Sequence, residues 1–180
     1  MRRIARAFGY VLAFALLAFA LWFYFTYRIG VVPSASMAPT LLPGDQYLIN
    51  IRAYRHRLPE RGDLIVFRSE EGDYLVKRVV GLPGEIVTII AGQVYINGRP
   101  LYEPYLSETP QIEWPMQQVV PPDHVFVLGD NRNYSDDSRD FGPVPVDRIL
   151  GRAEYVFYPS GRRHSLRAQR RRTEKGASPD

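Results

Sequence analysis

The 21 residues from 7 to 27 carry no charged side chain, and this run constrains the chain more than any other feature. They are rich in Leu, Phe and Ala, and a helix rising about 1.5 Å per residue would carry them across the roughly 30 Å hydrocarbon core of a bilayer. Trp22, Tyr24 and Tyr27 gather near the end of the run, as aromatic residues do at a membrane interface. The run therefore predicts a transmembrane anchor over residues 7–28.

A cleaved signal peptide is the alternative interpretation of this segment. Ser34-Ala35-Ser36 would then supply a cleavage site between small residues. However, the apolar part of a signal peptide usually spans about 7–15 residues, and bulky aromatics here separate it from the small residues. Three Arg precede the run, and only Arg28 follows it before Arg52. The positive-inside rule therefore predicts a cytoplasmic N-terminus at 1–6 and a single pass through the plasma membrane, with the remainder on the outer or periplasmic side.

The net charge of +4 is concentrated at the two ends of the chain. Residues 1–6 carry three Arg, and residues 161–180 have a balance of +5, so residues 7–160 have a net charge of −4. A nucleic-acid-binding domain would carry its positive charge on the folded part, so nucleic acid is not an expected partner. Residues 161–180 are predicted to form a basic, disordered tail, with contact to anionic lipid headgroups as the alternative.

Composition argues against a metal centre or a disulfide framework. The chain has no Cys, which excludes disulfides, thiolate nucleophiles and thiolate metal ligands. Its three His residues lie far apart and lack metal-ligand spacing; they are His56, His124 and His164. We therefore expect neither a metal nor a cofactor.

Residues 29–160 predict one mostly β domain. Short runs of β-branched and aromatic residues, separated by turn signals, indicate strands at 47–51, 63–67, 74–80, 86–90, 93–96 and 125–128. Asn97-Gly98 between two such runs predicts a tight hairpin. Residues 102–122, with five Pro, are expected to be irregular. The expected architecture is a folded or barrel-like antiparallel sheet behind the single N-terminal transmembrane helix.

Ser36 and Lys77 are the candidate reactive residues. A Ser hydroxyl is a poor nucleophile without a nearby base. In a strand over 74–80, Lys77 shares a face with Leu75 and Val79, and such apolar surroundings lower the pKa of a Lys ammonium. The alternatives are a Lys that extends from a sheet edge into solvent, and His124 as the base.

Four ordered segments resemble the conserved boxes of bacterial type I signal peptidases. They are PSASMAPTL at 33–41, RGDLIVF at 61–67, KRVVGLPGE at 77–85, and GDNRNYSDDSR at 129–139 followed by FGPVP at 141–145. Together they cover the chain from the anchor to about residue 158. The resemblance implies a membrane-bound serine endopeptidase that removes N-terminal signal peptides from exported preproteins after small residues. Its implied partners are signal peptides, the bilayer and the protein export machinery.

The same resemblance implies roles for individual residues. Ser36 would be the nucleophile and Lys77 the general base. The Ser34 hydroxyl and the Ser36 N–H would form the oxyanion hole, and Ser135 would orient the lysine. Ser34 could instead be an ordinary turn residue, and Ser135 could merely cap the loop.

Further residues are matched to supporting and substrate-binding positions. Asp137 and Arg139 match an ion pair whose expected role is structural, holding the loop that carries Ser135. The family binds its substrate as an added strand, with shallow pockets for alternate side chains. Val32, Met37, Leu41 and Val76 fall on pocket positions, or else are ordinary core residues.

The sequence departs from the family in places and leaves two other functions open. Some members have two spans rather than one, Asn133-Tyr134 stand where Asp-Asn is common, and Phe141 stands where Trp is common. Mitochondrial and plastid relatives also use Ser and Lys, so the source is left open.

A self-cleaving Ser–Lys repressor would usually carry a DNA-binding domain and no anchor. A non-catalytic membrane-tethered β domain, acting as a binding or assembly module, is the alternative from a different class.

Overall fold

The computed structural model describes residues 2–111 and 114–167, with side chains from residue 9 onward. It begins with helix α1 (Arg2–Thr26). Within α1, Gly9–Thr26 has a mean hydropathy of 1.8 and only 6% of its residues are buried. By length and composition this helix can cross a membrane, and its exposure distinguishes it from the core helix of a soluble domain.

The rest of the described chain is almost entirely strand and turn. Its strands are β1 (Tyr27–Val31), β2 (Gln46–Asn50), β3 (Leu64–Arg68), β4 (Tyr74–Gly81), β5 (Ile86–Ile90), β6 (Gln93–Ile96), β7 (Arg99–Pro100), β8 (Met116–Val119), β9 (His124–Leu128), β10 (Val144–Pro145), β11 (Ile149–Tyr158) and β12 (His164–Ser165). One-turn helices occur at α2 (Ser138–Phe141), Val146–Arg148 and Ser160–Arg162.

The strands form two antiparallel sheets. The larger has the order β1-β2-β11-β3-β4-β9-β10, with β12 added to β11, and the smaller has the order β7-β6-β5-β8. The mostly β prediction is therefore confirmed. The barrel-like variant is not observed, because among the described residues both strand orders are open rather than closed into a ring.

All six predicted strands are present, and so is the tight hairpin. Ile96 pairs with Arg99, and Asn97 and Gly98 have φ values of 50° and 80°. A two-residue turn with both φ values positive matches the right-handed twist of the flanking strands, which is why Asn-Gly is favoured there.

Two elements differ from the expectation. Part of the segment predicted to be irregular forms β8, an edge strand paired with β5. Its central residues Gln117 and Gln118 are polar, so the sequence lacks an apolar strand signal there. Strand β11, in the middle of the main sheet, was not predicted. Arg152 and Glu154 interrupt its apolar pattern; both are buried, and they form an ion pair at 2.8 Å.

The folded domain extends further toward the C-terminus than the sequence predicted. Arg162 forms an ion pair at 3.0 Å with the buried Asp45, and Leu166 is 2% exposed in the core cluster that includes Met37 and Leu41. The prediction of a disordered tail from residue 161 is therefore wrong for residues 161–167. Residues 168–180 lie outside the described part of the chain.

Strand β4 lies where three apolar clusters meet. Val76 belongs to a cluster with Val32, Met37 and Leu41. Val80 belongs to a second, built on the smaller sheet, and Val79 to a third near β9 and β10. A side chain that points inward from β4 is consequently removed from water.

Candidate active site

Ser36 lies in the turn-rich connection between β1 and β2. It is half-buried, whereas Ser34 is exposed, and the Ser34 hydroxyl donates to Ser36 Oγ at 3.3 Å. Met37 and Leu41 are fully buried beneath the turn, and the Leu41 N–H donates to the Met37 carbonyl at 2.9 Å. Burial of these side chains fixes the turn on the domain and leaves Ser36 at the surface.

Lys77 is buried in β4, with an exposed fraction of 3%. Removal from water lowers the pKa of its ammonium below the ordinary value, and this outweighs the opposing effect of Asp137 and Asp136. Its Nζ lies 2.9 Å from Ser135 Oγ. Lys77 is thus a buried, oriented amine rather than a lysine extending from a sheet edge into solvent.

Ser135 is held in turn by Asp137. The Ser135 hydroxyl donates to Asp137 Oδ2 at 2.8 Å, and the same oxygen accepts the Gly129 N–H at 2.9 Å. Asp137 also caps α2 in a capping box with Asp140, which fixes its carboxylate. Its position therefore determines where the Ser135 hydroxyl points.

Arg139 completes this arrangement. Its Nε lies 2.8 Å from Asp137 Oδ1. Its Nη2 donates to Asp137 Oδ2 at 2.9 Å, to the Arg132 carbonyl at 2.9 Å and to the Ser135 carbonyl at 3.2 Å. Asp137 and Arg139 therefore form an ion pair that ties both ends of the 132–135 loop together.

The loop that follows β9 packs directly against the Ser36 turn. The Asn131 N–H donates to the Ser36 carbonyl at 3.0 Å, and its side-chain Nδ2 donates to the Ala35 carbonyl at 3.2 Å. At Gly129, a Cβ would lie 2.1 Å from Ser135 Oγ and 2.6 Å from the Ser36 carbonyl oxygen. Only the absence of a side chain at Gly129 allows the two segments to approach so closely.

A buried ion pair beside this loop was not predicted. Arg78 contacts Asp130 through two hydrogen bonds, Nε to Oδ1 at 2.7 Å and Nη2 to Oδ2 at 2.6 Å, and both side chains are fully buried. The Arg78 guanidinium also lies 3.9 Å from the centre of the Tyr105 ring. Strand alternation does indicate that Arg78 points away from the Lys77 side, but no local pattern identifies a partner 52 residues away.

A second buried pair joins the loop to the segment after β7. Arg132 contacts Glu103 through both Nη atoms and donates from Nε to the Gly129 carbonyl at 3.0 Å. Tyr105, which is 8% exposed, donates its hydroxyl to Glu103 Oε1 at 2.6 Å. This part of the segment expected to be irregular therefore supports the loop.

A cavity of about 690 Å³ brings most of the predicted residues together. Its wall includes Ser34, Ser36, Lys77, Val32 and Val76. The other two pocket candidates, Met37 and Leu41, do not line it and are fully buried in the core. Within residues 2–111 and 114–167, no hydrogen bond joins Ser36 to Lys77, although both side chains line this cavity.

His124, the alternative base, also lines this cavity. Its Nδ1 lies 2.8 Å from the Pro122 carbonyl oxygen. In the described residues no group of three or more His, Asp or Glu side chains is arranged to hold a metal ion.

One edge of β4 is open beside the cavity. Residues 74–77 pair with β3, from Arg68↔Tyr74 to Ile65↔Lys77, whereas pairing with β9 starts at Arg78↔Leu128. In the described part of the chain, the half of β4 that leads to Lys77 therefore has a strand partner on one side alone. An extended peptide could hydrogen-bond to the free side.

Comparison with known proteins gives a consistent result. The model of the family described as "Signal peptidase, peptidase S26" matches residues 2–158. Signal peptidase I of Leptolyngbya laminosa is 43% identical over 140 residues, which cover 73% of this chain and 68% of the relative. Probable signal peptidase I-2 of Synechocystis sp. is 43% identical over 136 residues, 71% of this chain and 62% of that one. This chain thus spans about two thirds of the length of these relatives.

A solved structure of a signal peptidase I from Enterococcus faecalis V583 is 37% identical in sequence to this chain. The superposition covers 52% of this chain and 95% of the solved chain, with a TM-score of 0.47. The match over residues 2–158 takes in the anchor helix, the Ser36 turn, β4 and the loop after β9. Because the family model matches most of the chain and the curated relatives are 43% identical, the chain belongs to the signal peptidase family, peptidase S26.

Proposed function

We propose that this chain is a membrane-anchored signal peptidase in which Ser36 attacks the scissile carbonyl and Lys77 accepts the Ser36 proton. The observation that carries the proposal is the buried, oriented amine of Lys77 in the same cavity as Ser36. A general base must be neutral before it can accept a proton, and burial favours the neutral amine.

The hydrogen-bond directions leave the lone pair of Lys77 available. The carboxylate of Asp137, which is paired with Arg139, can only accept, so the Ser135 hydroxyl proton points to it. Ser135 Oγ then accepts an N–H from Lys77. The Lys77 lone pair is therefore not used by Ser135 and can take the proton from Ser36 once a substrate has closed the cavity.

Acyl transfer follows in two stages. Ser36 Oγ adds to the carbonyl carbon while its proton moves to Lys77, and Lys77 then passes that proton to the departing amine. Water attacks the acyl-enzyme with Lys77 again acting as base. Charge on the carbonyl oxygen is stabilised by the Ser36 N–H and the Ser34 hydroxyl, which lies 3.3 Å from Ser36 Oγ in the free protein.

The substrate fits as an extended segment of a preprotein. The open edge of β4 over residues 74–77 supplies backbone partners that lead to Lys77. Val32 and Val76 line the cavity and limit the size of side chains near the cut, whereas Met37 and Leu41 act from below by supporting them. This arrangement favours cleavage after small residues.

The membrane anchor places this chemistry where signal peptides emerge. α1 leads into β1 with no intervening residue, so the domain is held at the membrane surface. The three Arg before the span favour a cytoplasmic N-terminus and a catalytic domain on the outer face of the plasma membrane, near the export machinery.

Cleavage of a purified preprotein by the full chain and its variants tests the proposal. Ser36→Ala and Lys77→Ala should each abolish cleavage while leaving the melting temperature close to that of the parent. An active Lys77→Ala variant together with an inactive His124→Ala variant would instead identify His124 as the base.

A further inference from the structure

We infer that Asn131 is a positioning residue that orients the oxyanion-hole N–H of Ser36 through the peptide bond between Ala35 and Ser36. The inference rests on the proposed function, because it concerns the N–H assigned to the oxyanion hole. No local sequence pattern assigns a role to Asn131.

Asn131 holds two consecutive carbonyl groups of the Ser36 turn. Its Nδ2 donates to the Ala35 carbonyl at 3.2 Å, and its backbone N–H donates to the Ser36 carbonyl at 3.0 Å. The Ala35 carbonyl also accepts the Ala38 N–H at 3.0 Å. Both peptide groups that flank the Ser36 Cα are thus fixed from one residue 95 positions further along the chain.

Fixing the Ala35 carbonyl fixes the Ser36 N–H, since both belong to one planar peptide unit. In a trans peptide the C=O and N–H bonds point in opposite directions. Because the Asn131 side-chain amide donates to the Ala35 oxygen from one side, the Ser36 N–H points to the other side. Within the described residues this N–H donates to no other group, so it stays available to a substrate.

The same hydrogen bond strengthens the N–H as a donor. A carbonyl oxygen that accepts hydrogen bonds polarises its own amide, so the attached N–H donates more strongly to a developing oxyanion. Asn131 would thus affect both the direction and the strength of the Ser36 N–H, without contacting the substrate.

Asn131 is itself held between two anchored neighbours. Asp130 forms the buried pair with Arg78, and Arg132 is bound to Glu103. The turn, by contrast, is exposed at Pro33, Ser34 and Ala35. The rigid loop therefore orders the more exposed turn through Asn131.

Asn131→Ala tests the inference, with Asn133→Ala as the matched control from the same loop. The Asn133 side chain contacts Gln111 and Glu108 rather than the Ser36 turn. With a soluble peptide substrate, Asn131→Ala should lower kcat with little change in KM. Since outright loss of one oxyanion-hole donor costs about 10²–10³-fold, we expect a loss of about tenfold from misorientation. Asn133→Ala should keep the parent rate.

A peptide aldehyde ending in alanine separates orientation from general loosening of the fold. Ser36 Oγ adds to the aldehyde carbon, its proton passes to Lys77, and the resulting oxyanion occupies the hole. Asn131→Ala and Ser34→Ala should both weaken this adduct by about the factor lost in kcat/KM. An uncleavable peptide that forms no adduct should bind all variants alike.

Two results would overturn the inference. One is equal aldehyde affinity in Asn131→Ala and the parent, and the other is equal weakening of aldehyde and uncleavable peptide. The midpoint of the pH–rate profile should also stay unchanged in Asn131→Ala, because the Lys77–Ser135 hydrogen bond is intact. If Ser36→Ala remained active, the proposed function itself would fail, which is a different outcome.

Discussion

Gly129→Ala should disable the enzyme with a modest loss of stability. The new Cβ would lie 2.1 Å from Ser135 Oγ and 2.6 Å from the Ser36 carbonyl oxygen, whereas ordinary contacts begin at 3.4 Å. Ser135 Oγ would have to retreat by about 1 Å, and the Lys77–Ser135 hydrogen bond of 2.9 Å would be lost or distorted. A misplacement of about 1 Å can cost about 10²-fold in rate, while overpacking costs about 1–3 kcal/mol in folding free energy.

The measurement is kcat/KM on a soluble peptide together with thermal unfolding. Gly161→Ala is the matched control, since Gly161 also has no positive φ and a Cβ there would have no neighbour within 4 Å in the described part of the chain. We expect Gly129→Ala to lose about 10²-fold in kcat/KM while remaining folded at the assay temperature. Activity within twofold of the parent would refute the view that this contact sets the geometry of Ser36 and Ser135.

Three further predictions concern pH, stability and the membrane. Activity should rise with pH to a plateau, and the midpoint of the rise should lie below the ordinary lysine pKa, because burial lowers the pKa of Lys77 and the amine must be neutral. Asp137→Asn should move this midpoint lower still, because the Asp137 carboxylate raises the Lys77 pKa. A midpoint near 10.4 would contradict this. Arg162→Ala should lower stability by about 1–3 kcal/mol in denaturant titration, because the buried Asp45 carboxylate would lose its ion-pair partner and keep the hydrogen bond from the Leu42 N–H, and Ala at the exposed Arg163 should cost less. A chain starting at Tyr27 should cut soluble peptide normally but membrane-inserted preprotein more slowly, since tethering raises the local concentration; equal loss on both would show that the anchor helps to build the fold.

The sequence predicted the fold where strands follow a simple apolar pattern. The six predicted strands have such patterns, and Asn97-Gly98 specifies its hairpin through backbone geometry. Strand β11 was missed because its charged interior is stabilised by residues from distant parts of the chain. Asn50 donates to Glu154 at 3.0 Å and Arg152 lies 3.6 Å from Asp63, and neither pairing leaves a local signal.

The candidate site could be predicted only where chemistry depends on residue type and local pattern. Ser36 in its turn and Lys77 in an apolar strand are visible in this way. Which of the four apolar pocket candidates line the cavity was not, because Val32 and Met37 have similar surroundings in sequence yet of these two only Val32 reaches the wall. The role inferred for Asn131 also depends on a contact between segments far apart in the chain, which only the tertiary structure supplies.

Strand β4 buries the neighbouring cations Lys77 and Arg78 on opposite faces. The surroundings of Arg78 stabilise its charge, whereas those of Lys77 favour loss of the proton. Arg78 has a dedicated carboxylate in Asp130, held through two hydrogen bonds, and a guanidinium stays protonated in any case. Among the described residues Lys77 meets no such partner directly, because Ser135 stands between it and Asp137, and Asp137 is already shared with Arg139. Nearby carboxylates therefore only partly offset the effect of desolvation on the Lys77 pKa. Strand alternation thus separates a structural cation from one that can lose its proton and act as a base.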